Sequence, residues 1–452
     1  MSPYDLIVIG AGPSGMAMAV ECARAGMSVL LLDEQSGPGG QIYRAVTESR
    51  LAGAGILDED YWHGGLLATS LAHPNLTHIR GARVWHTRPS FDVWYSVDGN
   101  SSKASAKYLA IAVGARERPV AIPGWTLPGV FTAGAAQVLL KTAAIAAESA
   151  VLAGSGPLLY LVAAQYLSAG RKVKALLDTT PFTNYRKAAI VAPGALIHGG
   201  LYKGLRLLAQ IRLAGVPVHN AVSHLRIEGD QSAQGISWVQ SGKTRHLEAD
   251  TIFLHEGLVP NIEFALAMGC DSSWSSERCA WEIRVDDRGE TSVPNVYALG
   301  DCTKVVGAEI SEIQGRLAGL RLARLTGGTA SVERETSLVH ELRKGIGLRR
   351  FLDRLYAPID SNILSTDPST IVCRCENLTI SSLEEQIKNA QGDLNYVKSI
   401  TRCGMGPCQG RMCSHSVAAL GRSHRLSAIS PSRQRLPLAP ITIGELAGLE
   451  ET

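Results

Sequence analysis

Two strand–turn–helix–strand units with glycine turns, at residues 5–34 and 150–178, and five cysteines gathered between residues 373 and 413 predict the fold class of this 452-residue chain. It reads as α/β: two nested Rossmann-like dinucleotide-binding domains, then a small helical C-terminal domain built round its thiols. In the first unit DLIVIG is a short apolar strand, Gly10-Ala-Gly12-Pro13-Ser14-Gly15 is the turn, MAMAVECARAG is an alanine-rich helix closing at Gly26, and SVLLLDE is the second strand. The second unit repeats that order as AVLAG, Gly154-Ser-Gly156, PLLYLVAAQYLSAG and KVKALLD. A later strand and turn, YALGDC at 297–302, returns the chain to the first domain.

Between the units, AIAVGARERPVAIPG (110–124) reads as the strand and turn where the chain crosses between nested domains, with Gly114 at the turn. ALIHGGLYKGLRLLAQIRLAG is helical, while VSHLRIEG, GISWVQSG and TIFLHEG are strand-like. Residues 334–357 carry leucine and arginine at helical spacing, and STDPST marks a linker. The expected division is 1–125 with 286–333 as the first domain, 126–285 as the second, 334–369 as a helical linker, 370–424 as the cysteine domain and 425–452 as an extended tail.

The bulk numbers exclude several classes. Composition is 45% hydrophobic and 19% charged, ordinary for a globular chain of two or three domains. A net charge of +3 without a Lys/Arg block points to no nucleic-acid partner. The apolar runs contain glycines and fit a strand plus a helix rather than a membrane span. The start, MSPYDLIVIGAG, has no basic n-region, so no targeting segment is expected. Nine cysteines, five of them clustered, suit metal-binding thiols in the reducing cytoplasm better than disulfides.

The first glycine turn has the context that gives such a motif weight. Gly10 permits the tight turn, Gly12 lets the backbone approach a pyrophosphate, and Gly15 lets helix and strand close on each other. Pro13 and Ser14 open a helix whose free N–H groups face the phosphates. Asp33 and Glu34 both stand where a ribose acid belongs, and Glu34 is favoured because Gly40 and Gln41 follow in QSGPGGQIY. With Gly114 and with Asp301 of YALGDC, this set points to FAD. The helix near EISEIQGRLAGL would aim its N-terminus at the flavin ring. The second turn is weaker, because Leu159 occupies the third glycine position. Asp178 could still reach a ribose there, and NAD(P), ATP or a vestigial site all remain open. No CxxC or CxxxxC pair lies in these domains, which excludes thiol–disulfide exchange; Cys302 beside Asp301 needs no redox role.

VCRCENLT and TRCGMGPCQGRMC supply thiolates from two short loops. Cys373 and Cys375 with Cys408 and Cys413 suit a 2Fe–2S cluster, since each iron takes soft anionic sulfur and the glycine-rich loop offers N–H groups to sulfide. Zinc is the structural rival, although CxC is less usual there. Cys403 could replace one ligand, and His415 reads as a surface residue. SSLEEQIKNAQGD between the loops reads as a helix with a serine cap. No histidine base or carboxylate pair stands out, so no catalytic residue is assigned and no complete substrate site is expected on this chain alone. His255, in FLHEGLVPN, is the histidine with some claim to a place near the flavin region, but the reading that prevails for it, as for the others, is a surface or core residue.

YDLIVIGAGPSGMAMA, DEQSGPGGQIYR, GARERPVAIPGWTLPGVFTAGAAQ, LAGSGPLLYLVAAQ, EGLVPN, ALGDC and the cysteine segments resemble, across nearly the whole chain, the α subunit of heteromeric flavin-dependent amine and opine oxidases. That group includes octopine and nopaline oxidases, hydrogen cyanide synthase, and D-hydroxyproline and dye-linked L-proline dehydrogenases. The architecture is pyridine nucleotide-disulfide reductase-like, and the C-terminal part is similar to a bacterioferritin-associated-ferredoxin-type 2Fe–2S domain. The resemblance implies a flavin-dependent oxidoreductase acting on CH–NH donors. A β subunit, itself an amine-oxidase-like flavoprotein, would oxidise the C–N bond, in some members with FMN at the subunit interface. Electrons would then pass through FAD and the cluster to an external acceptor. Opines are the favoured substrates, with hydroxyproline, proline and glycine as alternatives. A stand-alone NAD(P)H-dependent flavin and iron–sulfur oxidoreductase is the rival, and a structural zinc scaffold is the non-enzyme rival.

Overall fold

The computed structural model describes residues 4–88, 90–195, 199–424, 426 and 430–448. Its first sheet has the order Leu76–Arg80, Val29–Asp33, Tyr4–Ile9, Asn100–Ile111, Asp92–Val97, Arg83–Thr87, and Val296–Ala298 also pairs with Asn100–Ile111. Five of these strands run parallel, and the hairpin pair at the far edge runs antiparallel. The central strand shows why it is buried on both faces. Leu6 and Val8 face the helix Pro13–Arg24, while Ile7 and Ile9 belong to the opposite core, which the antiparallel hairpin, the 262–283 segment and the cysteine unit share. Each such side chain contributes about 1.5–3 kcal/mol on burial.

The second sheet is wholly parallel, in the order Val218–Asn220, Lys172–Asp178, Ser149–Ser155, Ile252–Glu256, Val130–Thr132. A three-stranded antiparallel sheet, Ser223–Glu228, Gly235–Gln240 and Lys243–Glu248, packs beside it. The helical segment expected from residue 195 is Gly200–Leu213, and Leu196–His198 lie outside the described residues. A long helix, Val332–Leu355, begins on Ser331, whose Oγ accepts from Arg334 N at 3.2 Å.

The cysteine unit comprises a small hairpin (Ile371–Cys373 with Leu378–Thr379) and the helices Ile380–Asn389, Leu394–Thr401 and Ser414–Ser423. The first of these helices is capped by Thr379 rather than by a serine, because Thr379 is the last extended residue and its Oγ1 accepts from Ser382 N at 3.3 Å. Leu383, Ile387, Leu394 and Val397 face inward and join the core under the first sheet.

The tail is not extended throughout. Thr442 and Glu445 form a capping box that starts a short helix, Ile443–Ala447. Upstream of it, Leu438 is buried and its N–H donates to Trp85 O at 2.7 Å. Gln409 and Arg411 donate to the carbonyls of Pro437 and Leu438 at 2.9 and 2.8 Å. The tail thus clasps the cysteine loop against the edge hairpin of the first sheet.

Candidate redox centre

The first glycine turn is shaped by close approach. A Cβ on Gly15 would stand 1.9 Å from Gly10 O, and one on Gly10 would stand 2.4 Å from Ala112 O. Gly12, by contrast, borders open space at the start of the helix, where Pro13 takes the first position and Ser14 is buried against Leu299 O. Helix Ala308–Leu325 crosses this one at very short range, because Gly315 and Gly319 sit over Ser14 and Met18.

The two candidate ribose acids differ in what they already hold. Asp33 is buried and accepts from Ala11 N and, at 2.8 Å, from Gln35 N, so its carboxylate is committed to the turn. Burial raises its pKa above the ordinary value despite those bonds. Glu34 is exposed beside it. Gly40 packs on Gly12, and Gln41 is exposed at the mouth. Gly114 adopts a φ of 65° at the crossing. Asp301 Oδ1 accepts from Val306 N and Gly307 N at 2.7 and 2.9 Å, while Oδ2 has no hydrogen-bond partner among the described residues. A donor-rich cradle at a helix N-terminus, an exposed acid for a ribose and a free carboxylate oxygen beside a second helix start all fit FAD. Cys302 has the surroundings of a structural thiol. Its thiol is buried, lies 3.1 Å from the carbonyls of Ile111 and Leu299, and burial pushes its pKa up to about 12.

The second turn is differently furnished. Leu159 is fully buried at the third glycine position. Asp178, which the sequence offered to a ribose, is fully buried and accepts from Tyr160 OH at 2.5 Å and Thr180 N at 2.8 Å. His255 fills space beside Gly156 and pairs through Nδ1 with Glu117 Oε1 at 2.6 Å. Glu117 Oε2 in turn accepts from Gly134 N, so the histidine is held by a largely buried carboxylate.

The thiols converge. The sulfurs of Cys373, Cys403 and Cys413 all lie within 4.8 Å of one another and are buried. Cys403 and Cys413 are 3.7 Å apart. Cys408, half-buried, is within bonding reach of the exposed Cys375, so the predicted ligands fall partly into that second pair. Gly406 packs directly on Cys375, where any side chain would collide. Hydrogen bonding among the three thiols, with the amides of Gly404 and Glu376, pulls the Cys373 pKa down to about 2 against the effect of burial. Thiols converging from two loops, with amides aimed at one of them, fit an iron–sulfur cluster. His415 is not on the surface. Its ring is buried edge-on against Trp281, and Nε2 has no partner among the described residues. It helps line a cavity of about 30 Å³ together with Arg116, Cys403 and Cys413. Its burial leaves no sequence signal, because Trp281 comes from a remote segment.

One side-chain bridge joins the two halves of the site. Asn261 N donates to Gly114 O at 3.0 Å, Arg116 Nη1 donates to Asn261 Oδ1 at 2.7 Å, and Arg116 Nε donates to Arg411 O at 3.2 Å. Glu263 neutralises the guanidinium at 2.8 Å. The flavin-side turn and the cysteine loop are therefore braced by one half-buried arginine, which the sequence did not single out.

Comparison with known proteins gives this geometry a family. The model of the pyridine nucleotide-disulphide oxidoreductases matches residues 4–323. The A component of opine oxidase from Rhizobium meliloti is 36% identical over 99% of this chain and 88% of that protein. The protein of the same name from Agrobacterium tumefaciens (strain Ach5) is 37% identical over 99% of this chain and 92% of its own length. The chain belongs to the family of opine oxidase A components. Members of this family are flavin-dependent oxidoreductases named as parts of larger enzymes. Hydrogen cyanide synthase subunit HcnB of Pseudomonas protegens is a more distant relative, 27% identical over 96% of each chain. The crystal structure of L-proline dehydrogenase from P. horikoshii superposes with a TM-score of 0.70 over 98% of this chain and 79% of that one, at 17% identity, and shows the shared fold. No helix among the described residues is long and apolar enough to cross a membrane.

Proposed function

We propose that this chain is the electron-transferring α subunit of a heteromeric opine oxidase, acting in the cytoplasm on octopine or nopaline. Its partner in this reading is an amine-oxidase-like flavoprotein β subunit that oxidises the C–N bond, with an external acceptor taking the electrons. The FAD residues are Gly10, Gly12, Pro13, Ser14, Gly15, Glu34, Gly40, Gln41, Gly114 and Asp301, with Asp33 shaping the turn. The cluster ligands are Cys373, Cys375, Cys408 and Cys413. When bound, the flavin supplies two-electron storage and the cluster supplies single-electron transfer. The chain's own residues position these groups, bury the thiols and brace the two sites through Arg116.

The observation that carries this reading is a group of converging buried thiols whose core is continuous with one face of the sheet that opens into a flavin-type glycine cradle. A stand-alone NAD(P)H oxidoreductase is disfavoured because Asp178 is already bonded to Tyr160 and Thr180. The test is coexpression with the β flavoprotein, anaerobic purification, and assay with octopine, nopaline, proline, hydroxyproline and glycine beside NADH. Opine-dependent bleaching of flavin and cluster supports the reading. Bleaching by NADH alone, or oxidation of proline with opines untouched, overturns it.

A further inference from the structure

Three thiols, Cys373, Cys403 and Cys413, meet within 4.8 Å with Cys375 and Cys408 paired near them, and a 2Fe–2S cluster takes four of the five. Four of them come as two pairs set in turns. Cys373 and Cys375 leave the small hairpin, and Cys408 and Cys413 bound the second half of the glycine-rich loop. The fifth, Cys403, is placed differently. It follows the helix Leu394–Thr401, one residue past Arg402, which ends that helix with a φ of 65°. Its N–H donates to Thr401 Oγ1 at 3.1 Å, and it packs with Leu394 and Val397 in the buried core. Its sulfur nevertheless stands 3.7 Å from Cys413 Sγ, an S–H···S contact.

We infer that Cys403 is not an iron ligand but a positioning residue, whose thiol donates a hydrogen bond to the ligand sulfur of Cys413 and so eases reduction of the cluster. This rests on the iron–sulfur reading above. The physical reason is general. A donor to a coordinating thiolate draws negative charge off the sulfur and favours the reduced, more negative cluster. A buried thiol does so weakly, since S–H is a poor donor, but it acts in a low-dielectric site where no water competes.

The test uses the anaerobically purified complex and three forms of this chain: wild type, Cys403→Ala and Cys403→Ser. Iron and acid-labile sulfide, the electron paramagnetic resonance signal of the reduced cluster, and its potential by redox titration are measured on each. We expect Cys403→Ala to keep the wild-type iron and sulfide content and a cluster-type signal. At a fixed poise its reduced-to-oxidised ratio should fall about three- to tenfold, where tenfold corresponds to about 59 mV for a one-electron couple. Cys403→Ser, which keeps a donor, should return the ratio towards or above wild type. Loss of iron in Cys403→Ala with a folded, flavin-replete chain makes Cys403 a ligand and overturns the inference. An unchanged potential in Cys403→Ala also overturns it. Absence of iron and sulfide from the wild type would instead remove the iron–sulfur reading itself.

Discussion

Gly315→Val tests whether helix-on-helix proximity shapes the flavin cradle. A Cβ at Gly315 would stand 2.2 Å from Ser14 O and 2.9 Å from Ser14 Cα, whereas ordinary contact begins at 3.4 Å. The helices Pro13–Arg24 and Ala308–Leu325 would have to part by about 1.2 Å, and valine adds two methyl groups to the same gap. Overpacking of this kind costs about 1–3 kcal/mol. The better helix propensity of valine over glycine returns only a few tenths of a kcal/mol. A net cost of about 2 kcal/mol falls on Ser14, the second residue of the helix that faces the pyrophosphate. Relieved by moving that turn, it weakens FAD by about thirtyfold, at about 1.4 kcal/mol per factor of ten. The same cost lowers Tm by roughly 4–8 °C. Flavin per chain after purification, the Kd for FAD in reconstituted apoprotein and a melting curve are the assays. A Gly315→Val protein with wild-type flavin content and Tm would refute the claim that this crossing sets the cradle.

Three further outcomes concern other sites. Glu34→Gln should weaken FAD by about tenfold through loss of charged hydrogen bonds to the ribose, with Tm of the apoprotein unchanged, while Asp33→Asn should lower apoprotein Tm because Ala11 and Gln35 lose their charged acceptor; equal effects of the two variants on apoprotein Tm would contradict the division of roles. Burial raises the Glu256 pKa from 4.5 to about 8, although Thr179 bonds it. The folded state therefore holds the proton more tightly than the unfolded one. Its stabilising effect is complete below pH 4.5 and is lost as pH rises through about 8, so the Tm gap between Glu256→Gln and wild type should change in favour of the variant from about pH 6 to about pH 9. A gap independent of pH would count against the buried acid. Gly204→Ala, in open space within the helix Gly200–Leu213, should raise stability by about 0.5–1 kcal/mol in denaturant titration, and a decrease would mean that this helix face is covered.

The glycine cradle was legible because each glycine there answers a local demand that sequence order alone encodes. The strand–turn–helix order sets Gly10, Gly12 and Gly15 correctly among their neighbours. The distinction between Asp33 and Glu34 needed the structure, since adjacent residues on a strand end point to opposite sides and only contacts reveal which side is the core. Cys403 and His415 were obscure for another reason. Their neighbours, Cys373 and Trp281, come from distant segments, and burial by remote partners leaves no periodic mark in the chain. The tail read as extended because Ser, Pro and Arg dominate it, yet one capping box was enough to wind Ile443–Ala447. Nothing in the sequence around Arg116 marks it out, and its bonds to Asn261 and Arg411 distinguish it.

The clasp made by Pro437 and Leu438 has a consequence for biogenesis. These residues follow every cysteine of the cluster in the chain, so they emerge from the ribosome after the thiols do. While they are still unmade, Gln409 and Arg411 lack their carbonyl partners and the glycine-rich loop is free on that side. The glycine-rich loop is therefore closed on that side only once the last residues of the chain are made, and the tail fixes last the segment that carries Cys408.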